Sequence, residues 1–142
     1  MLGWALEIVF PIEFVVRGTP VSAQSSAGSK NAWMDRIKTA SSMALPVPHF
    51  ATAESVAVTL FYFSEEEMPR DLDNIVKPIL DALNQHVYID DGQVDRIVVQ
   101  RFTNDRLYRF GNPTDALTDV IDGRKPALYV RIATEGLAEV SI

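Results

Sequence analysis

The alternation of apolar and polar positions divides the chain into a short series of elements. Ile12 to Val16 is an apolar extended run, and the small polar stretch Gly18 to Ser29 follows it as a connector. From about Lys30 to Ala44, Trp33, Ile37, Ala40 and Ala44 recur at helical spacing, with Ser29 as the expected N-cap. Pro46, Pro48 and His49 break that pattern. Ser55 to Phe63 alternates Val56, Val58, Leu60 and Tyr62 with Ala57, Thr59, Phe61 and Phe63, so both faces are apolar and the strand belongs inside a sheet. A second helix carries Ile75, Val76, Ile79, Leu80, Ala82 and Leu83 on one face, and Asp71, Asn74, Lys77 and Asp81 on the other. Pro78 lies within it, which favours a regular helix starting only near Asn74. Asp90-Asp91-Gly92 reads as a turn, Val94 to Phe102 as a strand, 103–126 as a long loop region, and Ala127 to Ala133 as a last strand. The order predicts an α+β domain over 1–142, a small mixed sheet of about four to five strands with two helices packed on it.

Composition narrows the chemistry. The 142 residues are 47% hydrophobic and 23% charged, the balance of a chain that folds around a core. With no cysteine, disulfides, thiolate zinc sites and cysteine nucleophiles are excluded. Two histidines, His49 and His86, are too few for a histidine-rich metal site, so any metal is held by oxygen, as magnesium, manganese and calcium are. No stretch is long and apolar enough to span a membrane. Residues 1–11 are apolar but lack a basic start and a cleavage site. They read as a docked leader or an edge strand, and a cytoplasmic protein follows by elimination. Thirteen Lys and Arg against nineteen Asp and Glu leave a net charge of −6, which works against binding a polyanion.

Three acidic pieces nevertheless stand together: Asp71-Leu72-Asp73, Asp81 and Asp90-Asp91. Clustered carboxylates repel unless something neutralises them, and a hard divalent cation does so. Such an ion can activate water for attack on a phosphodiester, and Lys77, one turn after Asp73, could steady the phosphate charge. The same residues also suit an ordinary role. Asp71 can cap the helix, Asp73 and Lys77 can form a surface i,i+4 pair, and Asp-Asp-Gly is a common turn.

The complete run Arg70-Asp71-Leu72-Asp73-Asn74-Ile75-Val76-Lys77-Pro78-Ile79-Leu80-Asp81-Ala82-Leu83, with Tyr88-Ile89-Asp90-Asp91-Gly92-Gln93-Val94, resembles the signature of the RusA family of crossover-junction endodeoxyribonucleases. The resemblance implies a magnesium-dependent homodimer, with manganese a possible substitute, that resolves Holliday junctions by paired nicks in DNA recombination and repair, and a usual phage or prophage origin. It implies Asp71, Asp73 and Asp91 as metal ligands and Lys77 as the essential lysine beside them. Asn74, Asp81, Asp90 and Gln93 belong to the pattern as supporting residues.

Arg70, Arg96, Arg101, Arg106 and Arg109 are the candidates for contact with branched DNA, although a solvated strand and loop face is an equal reading of the last four. Tyr108 and Phe110 suit base stacking or, more simply, packing. Glu65-Glu66-Glu67 occupies a place where family members often carry basic residues. It motivates a second reading, a RusA-like fold kept as a non-catalytic binding module, and a third is a nuclease for other branched or RNA substrates.

Overall fold

A computed structural model describes residues 4–65, 71–134 and 136–137. Strand β1 (Leu6–Glu7) pairs in parallel with β3 (His49–Phe50) as a two-stranded ribbon. The main sheet joins β2 (Ile12–Arg17), β4 (Val56–Phe63), β5 (Val94–Phe102) and β6 (Ala127–Ala133) in the order β2-β6-β4-β5. Within this sheet β4 and β5 run parallel, and the β2-β6 and β6-β4 pairs are antiparallel. Three helices, α1 (Ala27–Ser42), α2 (Leu72–Leu83) and α3 (Asp115–Asp122), complete the α+β layout among the described residues.

Strand β4 lies inside the sheet between β5 and β6; its Val56, Val58, Leu60 and Tyr62 face is buried, while on the other face Ala57, Thr59 and Phe61 are half-buried and Phe63 is buried. Val56, Val58 and Leu60 are fully buried against Trp33 and Ile37 of α1 and Ile75, Ile79 and Leu83 of α2. Each such side chain contributes about 1.5–3 kcal/mol by leaving water. A second cluster on Phe63, Phe102, Ala127 and Tyr129 is covered by Leu117 and Val120 of α3.

Three expectations need correction. The α1 cap is Ser26, whose hydroxyl accepts from Ser29 N at 3.2 Å, and the helix starts at Ala27. Its buried stripe is Trp33, Ile37 and Ser41, while Ala40 and Ala44 are only half-buried. Helix α2 starts at Leu72 and runs through Pro78, ahead of the expected Asn74. Proline cannot donate to the carbonyl four residues before it. That carbonyl, Asn74 O, accepts from Ala23 N at 2.7 Å instead, so a bond from the connector repairs the helix. Finally, 103–126 is not all loop. Thr114 caps α3 by accepting from Leu117 N, Asp115 sits in its first turn, and Ala116, Leu117, Val120 and Ile121 form an apolar face. The surrounding Gly111, Pro113 and Gly123 masked so short a helix. Its start is tied to the sheet by Glu13, whose carboxylate accepts from Thr114 Oγ1 at 2.5 Å and from the Tyr129 hydroxyl.

A brace of two histidines joins the β3 segment to the turn after α2. His49 Nε2 lies 2.9 Å from His86 O and its Nδ1 3.1 Å from Pro46 O. Ser41 gives its proton to Lys38 O, so His86 Nε2, 2.9 Å away, must be the donor to the Ser41 hydroxyl. Burial, followed by His49 and Lys38, holds His86 below its ordinary range. As pH falls below about 6.5 the unfolded chain takes up this proton before the folded one. The stabilising share of His86 is therefore complete above that pH and is lost as pH falls toward the folded value. His86→Gln, which keeps a donor, is expected to show a smaller drop in Tm between about pH 7 and about pH 5 than the native chain. Equal drops would remove His86 as the cause.

Candidate active site

The β4-α2-β5 crossover sets the acidic residues. Burying the apolar face of α2 on the sheet turns Asp73, Lys77 and Asp81 outward, and parallel pairing of β5 with β4 brings the preceding turn back beside the helix. Asp71 occupies the N-cap position with extended backbone, yet its side chain makes no capping hydrogen bond. Asp73 is exposed in the first turn and has no partner among the described residues. Neither ordinary role expected of these two is realised: Asp71 does not cap, and Asp73 does not pair with Lys77.

Lys77 turns the other way. Its Nζ lies 2.9 Å from Asp81 Oδ1 and 3.0 Å from Asp91 Oδ2, tying the turn to the helix. Hydrogen bonds to Asp81 and then Asp91 raise its pKa above the usual lysine value, so it stays charged through the neutral range. The pair groups are substantially exposed, so this contact is weak and readily exchanged. The buried Tyr88 phenol is likewise pushed up, by burial first and then by Asp91, Asp81 and Asp90, and donates to Leu80 O at 2.8 Å.

Asp90 and Gln93 build the turn that carries Asp91. They form a reciprocal capping box around the short 3-10 turn Asp91–Gln93, with Asp90 Oδ2 accepting from Gly92 N at 2.9 Å. Gln93 Oε1 accepts from Ile89 N and Asp90 N at 3.0 and 2.9 Å, and its Nε2 donates to Thr52 O and Glu54 O, both at 2.8 Å. Asn74 gives its carbonyl to Ala23 and is half-buried.

The structure thus brings together Lys77, Asp81 and Asp91. It does not draw Asp71, Asp73 and Asp91 into one cage: no group of three acidic or histidine side chains among the described residues is arranged to hold a metal. The donor chemistry still fits a hard divalent ion, since the oxygens of Asp71 and Asp73 are unspent and exposed, and the ammonium of Lys77 holds the Asp91 oxygen that a metal would take.

The basic candidates separate. Arg101 and Arg106 line an open cleft of about 730 Å³ with Leu72, Thr103 and Tyr108, beside the start of α2. Arg96 falls on the other face of β5, because Arg96 pairs with Ala57 and Arg101 with Tyr62, and it donates to Gly136 O and Leu137 O. Arg109 is exposed and does not line that cleft. Arg70, with Glu66 and Glu67, lies outside the described residues. Tyr108 and Phe110 are committed to packing: the Tyr108 ring meets Phe102 edge-on at 4.7 Å, and Phe110 lies against Phe63 and Phe102.

Carboxylates and a lysine carried on one βαβ crossover are the residue types that metal-assisted phosphodiester hydrolysis uses. The family model for the endodeoxyribonuclease RusA matches residues 20–132, and the chain belongs to that family of nucleases. Comparison with curated proteins finds no significant match. No helix among the described residues is long and apolar enough to cross a membrane.

Proposed function

We propose that the protein is a magnesium-dependent endonuclease that nicks four-way DNA junctions in pairs, in recombination and repair, as a homodimer. The observation that carries this reading is the state of the acidic residues. Asp71 and Asp73 are exposed and unspent at the head of a buried helix, and the Asp91 carboxylate meets that helix through Lys77.

Asp71, Asp73 and Asp91 would hold the ion, with manganese an acceptable substitute. When bound, the metal supplies an activated water and neutralises charge on the attacked phosphate. The protein's own contribution is positional. Helix α2 presents Asp73 and Lys77 from one rigid face, and the capped turn presents Asp91. With a cation on Asp91, Lys77 would be released from that oxygen and would be able to hold a phosphate oxygen by charge. Asp81, which keeps one bond to Lys77, limits how far the ammonium can move. Paired nicks need two centres related by symmetry, and β5 is an edge strand of the main sheet, with Ile97 exposed on one face and Val98 on the other, where a second copy could lie alongside.

The test is nicking of a mobile four-way junction, with a linear duplex of the same sequence as control. Cleavage of the junction in magnesium or manganese, absent with chelator, is the expected result. Metal-independent cleavage, or none on any branched substrate, would overturn the reading.

A further inference from the structure

We propose that a basic cleft, remote from the acidic residues of α2 in sequence, is a binding site for DNA backbone phosphates. Arg17 at the end of β2, Arg36 on α1, and Arg124 and Lys125 before β6 surround an open cleft of about 570 Å³. The chain has nineteen acids to thirteen Lys and Arg, so pairing these cations with carboxylates would be easy. None of the four is paired with one among the described residues. Four like charges around one void repel unless an anion enters it.

The cleft is built, because two guanidinium groups lie against glycine backbone. A Cβ on Gly18 would come within 2.5 Å of Arg36 Nη1, and Gly18 has a positive φ of 125°. A Cβ on Gly123 would meet Arg17 at 3.0 Å and Asp119 O at 2.4 Å. Arg17 Nη1 donates to Arg124 O at 2.6 Å, while Lys125 Nζ donates to Ile121 O at 2.8 Å, which holds the two ends of the cleft in place. The guanidinium groups of Arg36 and Arg124 make no hydrogen bond to the protein among the described residues and are available to a ligand. A guanidinium is the group suited to two-pronged phosphate contact.

Position favours a nucleic-acid backbone as the source of the phosphate. The connector that leaves the cleft at Gly18 reaches the first turn of α2 at Ala23, whose N–H bonds Asn74 O. Five residues span at most about 18 Å. That is about five base-pair steps of duplex, so a strand reacting at Asp71 and Asp73 could reach the cleft without leaving the protein surface. The inference rests on the reading of the chain as a DNA-cutting enzyme and supplies a grip that a net charge of −6 otherwise lacks.

The test measures binding of a fluorescent four-way junction by the full chain with chelator present, across a salt series, for Arg36→Gln, Arg124→Gln and their double. Lys38→Gln, an exposed loss of one charge on α1 outside the cleft, is the control, and melting curves confirm that each variant folds. Each cleft variant is expected to weaken binding several-fold and lower the salt slope by about one, and the double by tenfold or more and about two. Unchanged affinity and slope in the double variant would overturn the proposal, as would an equal loss in Lys38→Gln. A rise in Tm with inorganic phosphate that depends on Arg36 and Arg124, with DNA affinity untouched, would also overturn it. Binding is read without cleavage, so cleft-dependent affinity in a protein that never nicks would sustain this inference and sink the nuclease reading.

Discussion

Asp73→Asn and Asp91→Asn are each expected to reduce metal-dependent junction nicking by roughly a thousandfold or more while leaving Tm nearly unchanged. Asparagine keeps the size of aspartate and one oxygen, but removes the negative charge that a divalent ion needs. The structural cost is small for different reasons at the two sites. Asp73 has no partner among the described residues to lose. Asp91 loses its bond to Lys77, an exposed pair of the kind that contributes about 0–1 kcal/mol. Activity and stability are thus uncoupled here, which separates a catalytic carboxylate from a structural one. Nicking retained in either variant would strike that aspartate from the ligand set. Asp81→Asn serves as the contrast: its carboxylate faces Lys77, and its loss should weaken nicking far less than loss of a ligand.

Gln93→Ala should do the reverse and damage stability and activity together. One side chain satisfies four backbone groups: the N–H of Ile89 and Asp90, and the carbonyls of Thr52 and Glu54. At about 0.5–1.5 kcal/mol for each bond, partly recovered by water, the loss is about 2–4 kcal/mol. In a chain of this size that lowers Tm by about 5–10 °C. The same bonds fix the turn that carries Asp91, and a shift of about 1 Å there is enough to slow the reaction roughly a hundredfold. Gln93→Glu is the finer probe. It keeps the accepting oxygen but sets a carboxylate against two carbonyl oxygens, so it should not rescue the turn. A Gln93→Ala protein with native Tm and full nicking would refute the bracing role.

The acidic signature was legible because its meaning is local. Asp-x-Asp at a helix entry, Lys77 one turn on and Asp-Asp before a Gln are spaced by the geometry of a helix and a turn. The core strand β4 and the faces of α2 were legible for the same reason, since burial on one or two faces imprints a period on the chain. Helix α3 was not, because eight residues leave little periodicity and the glycines and proline around it point to loop. The start of α2 was misplaced because Pro78 argues for a later helix in isolation, and Ala23, fifty-one residues before the Asn74 carbonyl it meets, supplies the missing donor. Arg96 and Arg101 look like neighbours on one groove in the sequence. Their register against Ala57 and Tyr62 puts them on opposite faces.

By itself, then, the sequence determined the α+β class and the positions of the family's acidic signature with Lys77, both consequences of residue type and short-range spacing. Only the tertiary structure decided what those residues touch. It turned Lys77 away from Asp73 and onto Asp81 and Asp91, left Asp71 without a capping bond, and gave Gln93 its four partners. It also gathered Arg17, Arg36, Arg124 and Lys125 around one cleft from three distant parts of the chain. Charge acts through space, so a grip assembled by folding leaves no pattern along the chain to read.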